Sequence, residues 1–165
     1  MAIVLTGIAV VAGAALGYVN SITAPTIEAL KVQQEKEAEQ EVLNGQEGSA
    51  IKITDPKGFG GALTVMVGLA QDGTILGYKV LESSETPGLG AKAQDWFQKG
   101  QKGDIIGKQA GKLEVSKDGG EVDAITASTI TSRAFLRCIN AAYKTLSEND
   151  AQSGASPQAK PNNNK

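Results

Sequence analysis

Five side-chain hydroxyls fall within seven positions, at Thr126, Ser128, Thr129, Thr131 and Ser132. Immediately afterwards Phe135, Cys138, Ile139, Ala142, Tyr143 and Leu146 recur at steps of three and four, which predicts a helix from Thr131 or Ser132 to Leu146. The alcohols therefore sit where a helix begins. Unpaired backbone N–H groups and the positive end of the helix dipole favour a phosphate at such a place. Ser and Thr are also the preferred N-cap residues. On this chemistry alone, a cap with spare alcohols is the simpler reading and a phosphate site the sharper one.

A second cluster is Glu85-Thr86-Pro87-Gly88-Leu89-Gly90. One proline and two glycines let the backbone turn sharply and lie close to a ligand. An ordinary turn has the same composition. Beyond these two clusters the chain offers little unaided chemistry. It has no histidine and one cysteine, Cys138. Zinc, haem and iron–sulfur sites built from this chain alone are thereby excluded, as are Ser-His and Cys-His nucleophile pairs. No metal site is expected. Cys138 lies on the apolar stripe of the last helix and reads as a small core residue. The net charge of −2, with both signs interspersed, argues against a nucleic-acid surface. Gly58-x-Gly60-Gly61 lacks the third glycine of a dinucleotide fingerprint, and Gly90-Ala91-Lys92-Ala93 lacks the Gly-Lys-Ser/Thr of a P-loop. Any redox role requires a cofactor.

Asp123-Ala124-Ile125-Thr126-Ala127-Ser128-Thr129-Ile130-Thr131-Ser132 resembles the flavinylation motif of the FMN-binding domain family. In that family the last residue of a four-residue Ser/Thr-Gly/Ala-Ala/Ser-Thr tetrad carries FMN through a phosphoester bond. The tetrad here is Thr126-Ala127-Ser128-Thr129, so the resemblance places the covalent FMN on Thr129. The more usual tetrad is Ser-Gly-Ala-Thr, so Ala127 and Ser128 are small replacements. The resemblance further implies that Thr126 and Ser128 cradle the phosphate. Asp123 matches the acidic residue recognised by a separate flavin transferase. The Glu85–Gly90 segment is similar to a Glu-Thr-Pro-Gly-Leu-Gly loop of the same family, which implies flavin contacts from Glu85, Thr86, Gly88, Leu89 and Gly90. Gly58-Phe59-Gly60-Gly61, followed by Leu63 to Leu69, resembles the family's first core strand. The resemblance runs from about Gly58 to Tyr143.

Within the family, the resemblance is nearest to the branch formed by the G subunits of Rnf electron-transport complexes. This implies a membrane-anchored electron carrier in an ion-translocating ferredoxin:NAD oxidoreductase, an enzyme component that is not catalytic alone. Its partners would be the other membrane subunits, the flavin transferase during maturation, and the lipid bilayer. The implied location is the cytoplasmic (inner) membrane, single-pass, with the FMN domain on the periplasmic or outer face. Two alternatives are the C subunit of the sodium-translocating NADH:quinone reductase and a non-redox anchored binding domain that has lost its flavin.

The elements that must position these residues are partly legible. Residues 2 to 19 carry no charge and are just long enough to cross the hydrocarbon as a helix. Gly13 and Gly17 form a Gly-x-x-x-Gly pair, common where membrane helices touch. There is no basic start, and Thr23-Ala24-Pro25 is a poor cleavage site, so a retained anchor is expected in preference to a signal peptide. Pro25 fits the first turn of a new helix, an amphipathic connector over Thr26 to Leu43. Strands are expected at Ile51 to Ile53, Ala62 to Ala70 and Thr74 to Leu81, with a hairpin turn at Asp72-Gly73. Ala91 to Lys99 reads as a short helix. Leu113 to Ser116 and Glu121 to Ile125 read as a second hairpin around Lys117-Asp118-Gly119-Gly120. The expected class is α+β: an N-terminal transmembrane helix, then a small antiparallel-sheet domain with packed helices. The boundaries are 1-23 for the anchor, 24-48 for the connector, 49-148 for the FMN-binding domain and 149-165 for a disordered tail.

Overall fold

The computed structural model describes residues 2–153. A long helix α1 (Ala2–Leu43) is followed by three strands, β1 (Ser49–Asp55), β2 (Leu63–Leu69) and β3 (Ile75–Ser83). After β3 come a 3-10 turn at Gly90–Lys92, a short helix α2 (Ala93–Trp96), a second 3-10 turn at Ser116–Asp118, and helix α3 (Thr129–Ser153). The sheet is antiparallel in the order β1-β2-β3. The expected α+β architecture is the one observed.

Alternating Leu63, Val65, Val67 and Leu69 predict a half-buried strand, yet every residue of β2 is buried. β2 is the central strand and both faces are covered. On one face α3 packs through Ala134, Phe135, Cys138 and Ile139, which share a core with those four residues. On the other, Ala38 and Val42 from the end of α1 close over Met66. Gly68 and Gly77 are cross-strand partners beneath that contact. A Cβ on Gly77 would lie 2.7 Å from the Val42 carbonyl oxygen, and one on Gly68 would overlap it. The glycine pair thus lets a helix backbone rest on the sheet. Tyr78 and Phe97 complete the core around Phe135, edge-on and stacked respectively. The Tyr78 hydroxyl donates to the Ala93 carbonyl at 3.0 Å and accepts the Phe97 N–H at 3.2 Å, pinning α2 to the sheet. Burial pushes the Cys138 thiol up to about 12, so it stays protonated at neutral pH, in keeping with its place in the core.

Several boundaries differ from expectation. α1 does not restart at Pro25 but runs through it. A proline inside a helix removes one N–H donor, and nearby hydroxyls add bonds of their own: Thr23 to the Val19 carbonyl at 2.8 Å and Ser21 to the Tyr18 carbonyl at 2.8 Å. The chain divides into two compact units between Glu37 and Ala38, so the last turn of the connector belongs to the folded domain. The first unit is helical among its described residues, and its N-terminal part is an uncharged stretch long and apolar enough to cross a membrane. α3 continues to Ser153, beyond the expected end at Leu146. The remainder of the expected tail, 154–165, lies outside the described residues.

The second hairpin does not form. Val115 and Val122 make a single parallel bridge. The intervening residues wind into the 3-10 turn, with Gly119 left-handed at φ 92° and the Gly120 N–H bonded back to the Val115 carbonyl at 3.1 Å. A turn this tight returns the chain beside itself for one pair only.

Candidate functional site

The hydroxyl cluster divides into two groups. Ser132 is fully buried: it donates to the Ser128 carbonyl at 3.0 Å and accepts the Ile125 N–H at 2.9 Å. Ser128 and Thr131 are buried and hydrogen-bond to each other at 2.9 Å. These three shape the entry into α3. Thr129, the first residue of the helix, is only half-buried. Its Oγ1 accepts a hydrogen bond from Lys117 Nζ at 3.2 Å. Thr126 is exposed in the turn before the helix, and Thr129 is the partly accessible alcohol at the helix N-terminus itself, beside a cation.

The approach to Thr129 is strained. Ala127 has φ 60°, in the left-handed region that an L-residue with a β-carbon disfavours. The turn is nonetheless well supported, because the Ser128 N–H donates to the Ile125 carbonyl at 3.0 Å.

The Glu85–Gly90 loop meets this helix start directly. A Cβ on Gly90 would lie 2.5 Å from Glu85 Oε2 and 2.8 Å from Thr131 Oγ1, so only glycine lets the loop approach so closely. Glu85 is 7% exposed. Its carboxylate accepts the Phe59 N–H at 2.7 Å and the Gly60 N–H at 3.3 Å. The side chain therefore clamps a third segment, the Gly58–Gly61 loop, onto the other two.

These three segments enclose a cavity of about 320 Å³, lined by Phe59, Glu85, Thr86, Leu89, Gly90 and residues 127–130. Phe59, Leu89 and Ile130 leave 68%, 41% and 49% of their surface exposed, an unusual concentration of apolar surface around one opening. The cavity has an apolar wall suited to a flat aromatic group. An alcohol and an ammonium at the helix start are suited to a phosphate. That pairing of features fits FMN, a planar ring system on a phosphorylated chain.

Among the residues expected from the sequence, Thr129, Ser128, Glu85, Thr86, Leu89 and Gly90 come together at this cavity. Thr126 and Gly88 are exposed and outside its lining; Gly88, at φ 79°, serves the turn. Asp123 is also exposed: its Oδ1 accepts from Ser116 Oγ at 3.4 Å and its carbonyl accepts from Trp96 Nε1 at 2.8 Å. Three site residues carry no individual signal in the sequence: Phe59, Ile130 and Lys117. An aromatic residue set between Gly58 and Gly60 is the available hint for Phe59. Lys117 reads only as part of a turn. A larger open cleft near Tyr143, lined by Lys108 to Glu114 and residues 119–121, contains no motif residue.

Residues 58–144 match the family model described as FMN-binding domain. The chain is 35% identical over 143 residues to the G subunit of the ion-translocating oxidoreductase complex of Vibrio atlanticus (strain LGP32), covering 84% of this chain and 68% of that protein. It is 39% identical over 95 residues to the protein of the same name in Yersinia pestis, covering 55% of this chain and 46% of that one. It is 38% identical over 98 residues to that of Escherichia coli (strain K12), covering 57% and 48%. The matches to the Yersinia and Escherichia proteins thus span about half of their length.

Proposed function

Because this chain belongs to the FMN-binding domain family, we propose that it is the membrane-anchored, flavin-carrying subunit of an Rnf-type ion-translocating oxidoreductase, with FMN esterified to Thr129. In such a complex, ferredoxin oxidation and NAD reduction are coupled to ion movement. The names of the relatives support the assignment to an oxidoreductase complex. The observation that carries the attachment site is the position of Thr129, the accessible alcohol in the wall of the apolar cavity and at the start of α3.

FMN supplies the electron-transfer chemistry when bound. The chain's own residues have separate tasks. Thr129 Oγ1 holds the phosphate covalently, so the cofactor cannot be lost to a compartment without free flavin. Phe59, Leu89 and Ile130 keep water from the ring. Glu85 acts through the backbone: by holding the Phe59 and Gly60 N–H groups it places Phe59 at the cavity. Gly90 leaves the room that the Glu85 carboxylate and the Thr131 hydroxyl occupy beside it. A flavin transferase makes the ester, recognising the segment that contains the exposed Asp123. Electron donor and acceptor are neighbouring subunits.

The test is intact mass after expression of the full chain with a flavin transferase. The wild type should gain one FMN less one water and fluoresce under ultraviolet light after denaturation. Thr129→Ala should do neither. Retained label in Thr129→Ala overturns the assignment to Thr129. An unlabelled, colourless wild type favours an anchored binding domain without flavin.

A further inference from the structure

Lys117 is set at Thr129 by a built arrangement. It lies in the 3-10 turn Ser116–Asp118, which is tied to the chain on both sides. The Ser116 N–H donates to the Val122 carbonyl at 2.8 Å, and the Gly120 N–H donates to the Val115 carbonyl. The next residue, Asp118, accepts two hydrogen bonds from Arg133, at 2.7 Å from Nε and 2.6 Å from Nη2. Arg133 stands four residues after Thr129, one helical turn along the same side of α3. One turn of helix thus presents an arginine that grips the loop and an alcohol that receives the adjoining lysine.

The charges there are unevenly paired. Asp118 is matched by Arg133. The Lys117 ammonium donates instead to a neutral hydroxyl, Thr129 Oγ1, at 3.2 Å. An ammonium donating to an alcohol leaves most of its electrostatic capacity unused. A phosphate esterified to that oxygen would put anionic oxygens within reach of the same ammonium with no change in the loop. A lysine suits this task, because a compact charge on a flexible stem can follow phosphate oxygens without a fixed fork geometry.

We propose that Lys117, held in place by the Asp118–Arg133 pair, is the cation that binds the flavin phosphate at Thr129. The proposal rests on the reading of Thr129 as the attachment site. It assigns a role to the Lys117-Asp118-Gly119-Gly120 segment, whose glycines permit the turn while the lysine and aspartate point the charge.

The experiment uses the full chain in detergent, not flavinylated, titrated with FMN and with riboflavin, which lacks the phosphate. Quenching of flavin fluorescence reports binding. The wild type should prefer FMN. Lys117→Gln should weaken FMN binding about tenfold, as expected for one charge-assisted hydrogen bond near the surface, and leave riboflavin binding unmoved. Lys117→Arg should restore most of the preference. Added salt should erode the preference of the wild type more than that of Lys117→Gln. Equal FMN affinity in wild type and Lys117→Gln overturns the proposal and leaves the cavity assignment standing. Parallel loss of riboflavin and FMN binding also overturns it, because that marks a role in shaping the cavity. A wild-type chain that binds neither flavin rejects phosphate capture by Lys117, while the mass measurement on Thr129 decides the covalent assignment separately.

Discussion

Ala127 shows how a single position records the geometry of the site. Its φ of 60° places the β-carbon against the following carbonyl, at a cost of about 1–2 kcal/mol. Glycine, the more usual residue at this point of the motif, avoids that cost but loses more entropy on folding. The two effects oppose each other and the steric term is larger. Ala127→Gly should therefore stabilise the domain by roughly 0.5–1 kcal/mol, raising the midpoint of thermal unfolding by a few degrees. Ala127→Val, with a branched β-carbon at the same φ, should lower it. Scanning calorimetry of the full chain in detergent checks both signs. Ser128 is the complementary case. Alanine is more usual there, and the added hydroxyl is tolerated in a buried place because Thr131 pairs with it. Replacements that look merely conservative in the motif thus have distinct physical settings.

The elements around the site are joined by a few long-range polar contacts, and these carry the pH dependence. Asp55, at the end of β1, accepts from Arg137 Nε at 2.6 Å, and Arg137 Nη2 also donates to the Lys57 carbonyl at 3.2 Å. This fastens the chain entering the Gly58–Gly61 loop to α3. The Asp55 side chain is 11% exposed and that of Arg137 44%, so solvent screens the pair only in part. The Arg137 hydrogen bond holds the Asp55 carboxyl below the usual carboxylate range, more than offsetting burial, which acts the other way. A folded pKa below the unfolded one means stabilisation above the ordinary aspartate value, about pH 4. That stabilisation is lost as pH falls through the lower folded value. Asp55→Asn should cost about 1 kcal/mol at pH 7, the upper end of the range for a surface pair. The gap from wild type should close as acid protonates Asp55. Denaturant melts of both proteins at pH 7 and near pH 3 measure it, and a gap independent of pH would remove the ion pair as its source.

At the scale of the whole molecule, the N-terminal apolar stretch and the folded domain differ in what their surfaces are built to meet. The first has the composition for a bilayer, and its exposed Ile, Leu and Val residues are unremarkable there. Under the proposed function the cavity would exchange electrons with a neighbouring subunit, so the side of the membrane on which the domain lies matters. The family resemblance favours the periplasmic or outer face. Lys31 and Lys36, which follow the apolar run, favour the opposite side by the positive-inside rule. We expect the outer face. Protease added to intact spheroplasts expressing this chain alone should remove the domain, whereas permeabilised cells should be needed if the lysines prevail.

Much of this was readable without coordinates, because it depends on near neighbours in the chain. The step of three and four in α3, the alternation in β2 and the Asp72-Gly73 turn are local patterns, and all three elements formed. The uncharged run of residues 2 to 19 likewise has, through composition alone, the length and hydropathy that could cross a membrane, and it is helical in the structure. The resemblance to a flavinylation motif singles out Thr129 from contiguous residues alone, and the structure puts that residue in the wall of the cavity. Tertiary structure decided the rest. Whether β2 is half-buried or wholly buried depends on what covers its second face, and that cover is the end of α1, well back along the chain. The glycines of β2 and β3 that receive it look like weak strand residues until the helix is laid over them. Glu85 reads as a flavin-facing acid in a loop, yet its partners are the backbone N–H groups of Phe59 and Gly60, 26 and 25 residues away. Lys117 belongs to the site only because the Ser116–Asp118 turn coils against α3 instead of opening into a hairpin. Local periodicity specifies elements. Which side chains share a cavity depends on the path of the chain between them, and that path is set by burial and hydrogen bonding over distances no sequence window spans.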